Sequence, residues 1–287
     1  MTAAALALVL AAAAVHAGWN YFLKTARGGP GFMTLVALVA AIVWAPVALG
    51  QWLWQGYVFQ WVHLLPVLAS AAIHTAYFLL LDRGYRHGDL SVVYPLARAT
   101  GPVLTIAAAM LLLGERPGVL ALAGAALVIL GAYLLTGNPL RLFSRDRPKG
   151  AGFALLTGCT IALYTVVDKI AMSHYLIPPI VFDWSCVFFR LFMLWPLAVR
   201  GNSGALRESW RVDRKPIILV ALLSPLAYIL VLTAMVFTPV SYVAPAREVS
   251  ILFAALLGAH FLKERDAPRR LLAAAAIVLG IVGLALG

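Results

Sequence analysis

The chain has 287 residues, of which 63% are apolar and only 11% are charged, and its mean hydropathy is +0.94. Soluble domains carry about 45–50% apolar and about 25% charged residues, so the composition excludes a soluble enzyme. The net charge of +11 would suggest a nucleic-acid partner for a soluble protein. In a chain this apolar it indicates basic loops beside a membrane, so we expect a lipid bilayer and no nucleic acid as partners.

Ten apolar stretches are each long enough to cross a bilayer, which takes about 20 mostly apolar residues in one helix. They lie near residues 2–23, 31–49, 63–82, 90–113, 118–136, 150–171, 178–199, 216–236, 240–262 and 270–286. Clusters of Gly, Pro and charged residues separate them, and the longest loop, near 200–215, is too short to form a domain. We therefore predict an all-α integral membrane protein with ten transmembrane helices.

The first apolar stretch also has the pattern of a secretory signal peptide. Its end, Ala14-Val15-His16-Ala17, matches a cleavage site in composition. However, no Lys or Arg precedes the stretch, and its pattern recurs later in the chain. We expect it to remain as the first span.

Lys and Arg are distributed unevenly between the predicted loops. The odd-numbered loops hold 17 of the 22 basic residues, whereas the even-numbered loops hold Arg116 alone. Loops rich in Lys and Arg stay in the cytoplasm. This bias predicts that the odd loops are cytoplasmic and that both termini lie on the periplasmic or extracellular side.

The second half of the chain repeats the first at an offset of 145 to 151 residues. The run Leu113-Gly114-Glu115-Arg116-Pro117 corresponds to Leu262-Lys263-Glu264-Arg265-Asp266, and Tyr94-Pro95-Leu96-Ala97-Arg98 corresponds to Ala244-Pro245-Ala246-Arg247. Each half holds five predicted spans, an odd number, so the second half must lie upside down. We predict two inverted five-helix repeats, residues 1–138 and 148–287. Such repeats are typical of secondary transporters, because two related halves provide two related gates around one site.

This duplication, the run His16-Ala17-Gly18-Trp19-Asn20 in the first span, and the Glu-Arg element after spans four and nine resemble the drug/metabolite transporter superfamily, EamA type. The resemblance covers essentially the whole chain. It implies export of small metabolites, with amino-acid exporters prominent among the bacterial members, and a multi-pass protein of the bacterial inner (plasma) membrane. The superfamily also includes carriers of other solutes, so the fold does not determine the substrate.

We expect a secondary-active or facilitative transporter that exports amino acids, including aromatic and apolar ones, by alternating access around a central cavity. The alternatives are an exporter of other small amphiphilic metabolites or drugs, an integral-membrane enzyme, and a channel. The chain shows no Gly-x-Ser-Gly element and no clustered His and Glu ligands, so we expect no catalytic residues, no metal and no cofactor. Because the duplication supplies both halves, we expect a functional monomer.

Polar and aromatic side chains recur inside the predicted spans. Polar groups are costly in lipid, so they usually face the bundle interior, and several here share one helical face at spacings of three or four residues. The predicted cavity residues are His16, Trp19, Asn20, His74, Tyr77, Tyr94, Arg98, Tyr164, Tyr228, Tyr242, Arg247 and Glu248.

An amphiphilic cavity of this kind suits a zwitterion with an apolar side chain. Arg98 or Arg247 is the expected receptor for a carboxylate, because a guanidinium matches a carboxylate bidentately. Glu248 or an aromatic face is the expected receptor for an ammonium group. These individual roles are interchangeable at the level of the sequence.

Some of these residues also have purely structural interpretations. Arg190 follows Asp183 by seven residues on one helical face, so we expect an internal ion pair between them rather than substrate contact. Arg247 and Glu248 are equally compatible with a structural pair. Lys169, near a helix end, is equally compatible with snorkelling to the membrane surface.

Prolines and interior acids indicate where movement and ion coupling would occur. Pro95 and Pro245 occupy matching places in spans four and nine, and because proline kinks a helix we predict that they act as hinges. Asp168 and Glu248 are the candidates for proton coupling, since both lie well inside spans. Export down a metabolite gradient without any coupling ion remains the alternative.

Overall fold

The computed structural model describes residues 1–87, 90–136, 148–199, 204–253 and 267–287, and these ranges are helical with short connections and no strand. The helices are α1 Ala3–Thr25, α2 Pro30–Trp54, α3 Leu64–His87, α4 Leu90–Leu112, α5 Val119–Thr136, α6 Pro148–Ser173, α7 Pro179–Val199, α8 Ala205–Phe237, α9 Val240–Ala246 and α10 Ala267–Leu286. A single 3₁₀ turn, Trp61–His63, leads into α3.

The predicted all-α membrane fold is confirmed. Within the described residues, six helices are long and apolar enough to cross a membrane, namely α1, α2, α3, α6, α7 and α8. Shorter apolar segments lie in α4, α5 and α10. The outward surface is strongly apolar as well, since Leu111 is 82% exposed and Val119 is 85% exposed. Such a surface is compatible with lipid and incompatible with water.

Helix packing follows the two-fold pattern of the repeats. Helix α1 packs along α8, and α6, the counterpart of α1, packs along α3, the counterpart of α8. Helices α2 and α7, which correspond to each other, pack together, and so do α5 and α10. The two halves are therefore interleaved rather than side by side, and each contributes walls to the same interior.

The α5–α10 contact is unusually close because glycines from both helices meet there. A Cβ atom added to Gly124 would lie 2.6 Å from the carbonyl oxygen of Gly280, and one added to Gly280 would lie 2.6 Å from that of Gly124. Small residues allow helix backbones to approach in this way, and this type of packing replaces the missing hydrophobic effect inside a membrane. The last helix of the fold is thereby tied to its middle.

The loop predicted near 200–215 is wrong for most of its length, because α8 already begins at Ala205 and runs for 33 residues. Asp213 interrupts it with non-helical backbone angles of φ −113° and ψ 19°. The Asp213 carboxylate accepts the backbone N–H of Arg27, with distances of 3.3 and 3.2 Å to its two oxygens. This bond joins the end of α1 to the kink in α8.

The ninth predicted span, 240–262, is not one continuous helix. Helix α9 ends at Ala246, Arg247 and Glu248 form a turn, and helical structure resumes over 249–253. Residues 254–262 of that span, and the Lys263-Glu264-Arg265 element after it, lie outside the described residues. The corresponding helix α4 runs without a break through Pro95. The break brings polar backbone and side chains into the bundle interior, which is tolerated where they line a cavity.

Two charged side chains hold the α8–α9 connection in place. The Lys169 ammonium donates to the carbonyl oxygens of Met235 and Thr238 at 2.6 and 3.0 Å. The Glu115 carboxylate accepts the backbone N–H groups of Val240 and Ser241 at 2.8 and 2.9 Å. Lys169 therefore caps the end of α8 and Glu115 caps the start of α9, where the partial charges of the helix ends favour these signs.

Candidate functional site

A cavity opens in the middle of the bundle, between helices of both repeats. Helices α1, α3 and α4 of the first repeat and α6, α7 and α8 of the second provide its walls, together with the segment that follows α9. Its polar and aromatic lining residues are His16, Trp19, Ser70, His74, Tyr77, Phe78, Arg98, Tyr164, Phe182, Asp183, Arg190, Ser224, Tyr228, Arg247 and Ser250. This is the position in which inverted-repeat transporters hold their substrates.

Aromatic rings from three helices form one wall of the cavity. The His74 imidazole of α3 is stacked on the Tyr164 ring of α6, with centroids 3.9 Å apart and planes at 25°. The Tyr228 ring of α8 meets His74 edge-on at 5.5 Å, and Tyr77 meets Tyr164 at 6.1 Å. Edge-on and stacked contacts of this kind fix the orientation of each ring. The wall is therefore rigid and offers flat apolar faces.

Trp19 stands at another side of the cavity, where its ring meets that of His16 edge-on at 4.8 Å. Its indole Nε1 is buried and has no hydrogen-bond partner in the part of the chain that the structure describes. A buried N–H group without an acceptor is costly, so such donors are often satisfied by a ligand.

Arg98 is neutralised by a side chain of the other repeat. Its Nε lies 2.9 Å from Glu248 Oε2, and its terminal nitrogen donates to Ser250 Oγ at 3.2 Å. Both partners are well buried, with the Arg98 and Glu248 side chains 13% and 5% exposed. This ion pair ties α4 to the turn that follows α9. The pair that the sequence suggested between Arg247 and Glu248 is therefore replaced by Arg98–Glu248.

The other two arginines at the cavity rest on aromatic rings instead of acids. The Arg247 guanidinium lies 5.3 Å from the centroid of the Tyr228 ring, and the Arg190 guanidinium lies 5.8 Å from that of Phe78. A ring face attracts a cation but leaves its N–H groups available to an incoming anion. The direct ion pair expected between Arg190 and Asp183 does not form, and the charge of Arg190 acts on Asp183 only at longer range.

The interior acids differ in their surroundings. Asp168 is fully buried in α6 and accepts a hydrogen bond from the Tyr228 hydroxyl, while its second oxygen has no partner among the described residues. Glu248 is held by Arg98. Asp183 lines the cavity directly, on the same face of α7 as Cys186, Val187 and Arg190.

Eight of the twelve predicted cavity residues line this one cavity, namely His16, Trp19, His74, Tyr77, Arg98, Tyr164, Tyr228 and Arg247. Glu248 reaches the cavity only through Arg98. Asn20 donates to the His16 carbonyl oxygen at 2.8 Å, Tyr94 lies 6.0 Å beneath the Arg98 guanidinium, and Tyr242 donates to the Gly287 carbonyl oxygen at 3.0 Å. These last three lie outside the cavity lining, although Asn20 and Tyr94 contact residues that line it.

The cavity lining also includes side chains that the sequence did not predict there, among them Asp183, Arg190, Ser224 and Phe78. One face of α7 carries Asp183, Cys186, Val187 and Arg190, whose spacing of i, i+3, i+4 and i+7 is that of a single helical face. The sequence places Asp183 and Arg190 on this face, but it favours an ion pair between them over contact with a substrate. Ser224 stands next to Pro225, which also lines the cavity and was not considered as a hinge. Within the described residues, no three His, Cys, Asp or Glu side chains converge as metal ligands.

The predicted hinge prolines differ in their local structure. Pro245 is buried one residue before α9 ends, directly beside the turn that carries Arg247 and Glu248. Pro95 lies within the unbroken helix α4, and its side chain is outside the described part of the structure. The two matched positions therefore carry a broken helix in the second repeat and a continuous one in the first.

Comparisons with known proteins agree with this architecture. The model of the EamA-like transporter family matches the chain twice, over residues 3–137 and 148–286. A solved crystal structure is similar with a TM-score of 0.72 at 15% sequence identity, covering 100% of this chain and 98% of its own. No curated protein matches the sequence. At 15% identity the structural likeness shows the fold alone, whereas the family match covers both halves in turn.

Proposed function

Because the chain belongs to the EamA-like transporter family, a family of membrane transporters, we propose that it exports amino acids, aromatic and apolar ones included. The observation that carries this proposal is the central cavity, which combines charges of both signs with an aromatic wall. Arg190 and Arg247 present guanidinium groups, Asp183 presents a carboxylate, and Tyr164 and Tyr228 present ring faces. A molecule with a carboxylate, an amine and an apolar group satisfies all three kinds of surface.

Arg247 is the proposed receptor for the substrate carboxylate. Arg98 is already paired with Glu248, whereas the Arg247 guanidinium lies over the ring of Tyr228 and forms no ion pair with another described residue. A guanidinium binds a carboxylate through two parallel hydrogen bonds, and such bonds are strong in a site that excludes water. The stacked His74 and Tyr164 rings would then contact the apolar part of the substrate.

Transport would proceed by alternating access, with each repeat opening one side of the cavity in turn. The interleaved packing of the halves supports this proposal, since every wall of the cavity borders both repeats. It also supports a functional monomer with repeats over 1–138 and 148–287, because one chain encloses the cavity. The chemistry of the cavity is that of binding, and we propose no catalytic role for it.

We further propose that the protein lies in the bacterial inner membrane with both termini outside the cytoplasm. The Lys and Arg bias between odd and even loops supports this orientation. The amino group of Met1 donates to the Ala285 carbonyl oxygen at 3.2 Å, so both chain ends lie on the same side of the bundle.

The test is uptake of radiolabelled phenylalanine into proteoliposomes, comparing the wild type with Arg247→Ala. We expect saturable uptake by the wild type and roughly tenfold weaker uptake by the variant, because a charge-assisted bond to the substrate is lost. Arg211→Ala is the matched control, since Arg211 is exposed on the first turns of α8. An absence of saturable uptake for every amino acid, in liposomes of verified integrity, would contradict the proposal and favour other amphiphilic metabolites or drugs.

A pH gradient across the same liposomes tests proton coupling at Asp168. Asp168 accepts a hydrogen bond from the Tyr228 hydroxyl, and the Tyr228 ring supports Arg247. A change in the protonation of Asp168 would therefore reach the substrate site through the Tyr228 side chain. We expect the gradient to stimulate the wild type and not Asp168→Asn. Wild-type uptake at the same rate with and without the pH gradient would instead indicate facilitated transport.

A further inference from the structure

The interior carboxylates are not equivalent as receptors for a substrate amine. Asp168 already accepts the Tyr228 hydroxyl, and Glu248 already neutralises Arg98. Asp183 makes no side-chain hydrogen bond or ion pair with any other described residue. The sequence pointed to Glu248 for this role, but the structure gives Glu248 a cationic partner of its own.

Asp183 is placed for contact with a molecule in the cavity. It is only 6% exposed, and the surface that it retains belongs to the cavity lining. Phe182 and Cys186 beside it are buried, so water reaches this carboxylate only through the cavity. A buried carboxylate without a partner is strongly unfavourable unless a proton or a cation neutralises it, and the ammonium group of a ligand supplies such a cation.

The cavity charges near Asp183 are arranged to bind opposite ends of one molecule. Arg190 lies seven residues further along the same face of α7, which corresponds to a rise of about 10 Å along the helix. Arg247 reaches the cavity from the turn after α9 of the same repeat, over the ring of Tyr228. Neither guanidinium forms an ion pair with Asp183. The charge of Arg190 acts on Asp183 through space, but the two groups do not pair directly, so each remains available to one end of a zwitterionic ligand.

We infer that Asp183 binds the ammonium group of the substrate, and that it makes the cavity select amino acids over carboxylates that lack an amine. This inference rests on the proposed amino-acid export and assigns the part of the site that recognises the amine. Arg247, after α9, binds the carboxylate, and Asp183, on α7 of the same repeat, completes recognition of the zwitterion.

The experiment measures competition against uptake of radiolabelled phenylalanine by unlabelled phenylalanine and by 3-phenylpropionate, which lacks the amine. In the wild type we expect phenylalanine to compete at least about tenfold better than 3-phenylpropionate, because only phenylalanine neutralises Asp183. In Asp183→Asn this preference should fall to within about threefold, through weaker competition by phenylalanine rather than weaker competition by 3-phenylpropionate.

Two further variants keep the comparison interpretable. Asp82→Asn removes the same charge from an exposed ion pair on α3 and should leave the preference unchanged. Asp183→Ser also removes the carboxylate and provides the same measurement if the asparagine variant does not fold. Folding of each variant is followed by size-exclusion chromatography in detergent.

The outcomes separate the two proposals. Saturable phenylalanine uptake with the same preference in the wild type and in the folded Asp183 variant would overturn the role of Asp183 and leave amino-acid export intact. An absence of saturable amino-acid uptake by the wild type would overturn both. Loss of the preference without loss of 3-phenylpropionate competition is the result expected from an amine receptor and not from a structural residue.

Discussion

Tyr228 connects two charged groups that occupy different environments. Its ring supports the Arg247 guanidinium at the cavity, and its hydroxyl donates to the buried carboxylate of Asp168. The remaining interior charges divide in the same manner, since Arg98 and Glu248 neutralise each other while Arg190, Arg247 and Asp183 stay open to the cavity. At the scale of single residues, structural charges are those with a charged partner, and the others are available for a ligand.

The Arg98–Glu248 pair gives a prediction about stability. Because both side chains are largely buried, removing one leaves an uncompensated charge, and we expect Glu248→Gln to lower the free energy of unfolding by about 3 kcal/mol. The double variant Arg98→Met with Glu248→Leu should recover most of that loss, since no buried charge remains. Thermal unfolding in detergent checks both.

The exposed pair of Arg86 with Asp82 is the control for this measurement. Its side chains are 70% and 56% exposed, so solvent screens the pair and Arg86→Ala should change stability by less than about 0.5 kcal/mol. Equal losses for the buried and the exposed pair would contradict the structural role of Arg98 and Glu248.

At the scale of helices, contacts between backbones determine where the ends of the chain lie. Gly124 and Gly280 let α5 and α10 approach until backbone meets backbone. Glu115 and Lys169 cap the two helix ends on either side of Pro239. Side chains of other helices and loops thereby fix the start of the short helix α9, and this positions the turn that carries Arg247.

We predict that Gly124→Ala destabilises the protein by about 2 kcal/mol, because the new Cβ would collide with the Gly280 carbonyl oxygen and force the helices apart. Gly152→Ala is the matched control. A Cβ at Gly152 meets nothing within 4 Å, so that variant should be neutral or more stable by up to about 1 kcal/mol. The prediction is checked by comparing the unfolding temperatures of the two variants, and equal temperatures would contradict the close packing of α5 on α10.

Glu115 gives a second prediction about elements. Glu115→Ala leaves the first N–H groups of α9 without their acceptor and should cost about 1 to 3 kcal/mol of stability. It should also reduce uptake, since α9 leads into the turn at Arg247. The exposed neighbour variant Arg116→Ala should change neither quantity, and a comparable loss in that variant would argue against capping by Glu115.

At the scale of the whole molecule, the two repeats share one interior. Helix α1 packs on α8 just as α6 packs on α3, and the cavity walls come from both halves. The symmetry is incomplete at the prolines, because helix α9 ends one residue after Pro245 whereas helix α4 continues through Pro95. At these matching positions, the first repeat therefore presents a continuous helix to the rest of the bundle and the second repeat presents a helix end and a turn.

The proposed orientation predicts opposite labelling of two loops. In a variant with both native cysteines replaced by serine, Gln55→Cys should react with an impermeant maleimide added to intact spheroplasts, because the proposed orientation places the loop after α2 outside. Arg211→Cys should react only after permeabilisation. Both side chains are exposed, so a reversed result would contradict the orientation rather than reflect burial.

Much of the fold could be predicted because the bilayer imposes it. Every backbone polar group must be bonded within the span, so length and hydropathy alone located the helices to within a few residues at most ends. The exceptions are informative. The charges of the segment from Ala205 predict a loop, but the segment is helical, and the apolar sequence around Arg247 and Glu248 predicts a helix where the structure has a turn.

The sequence alone determined the class of protein, the span pattern, the internal duplication and most of the side chains that meet at the cavity, because all of these follow from composition, periodicity and repetition. The tertiary structure decided which charges neutralise each other. Arg98 pairs with Glu248 across 150 residues, and Asp183 is left facing the cavity although Arg190 shares its helical face. Helical periodicity specifies a face but not the neighbour opposite it, and only the packing of one repeat against the other specifies that neighbour.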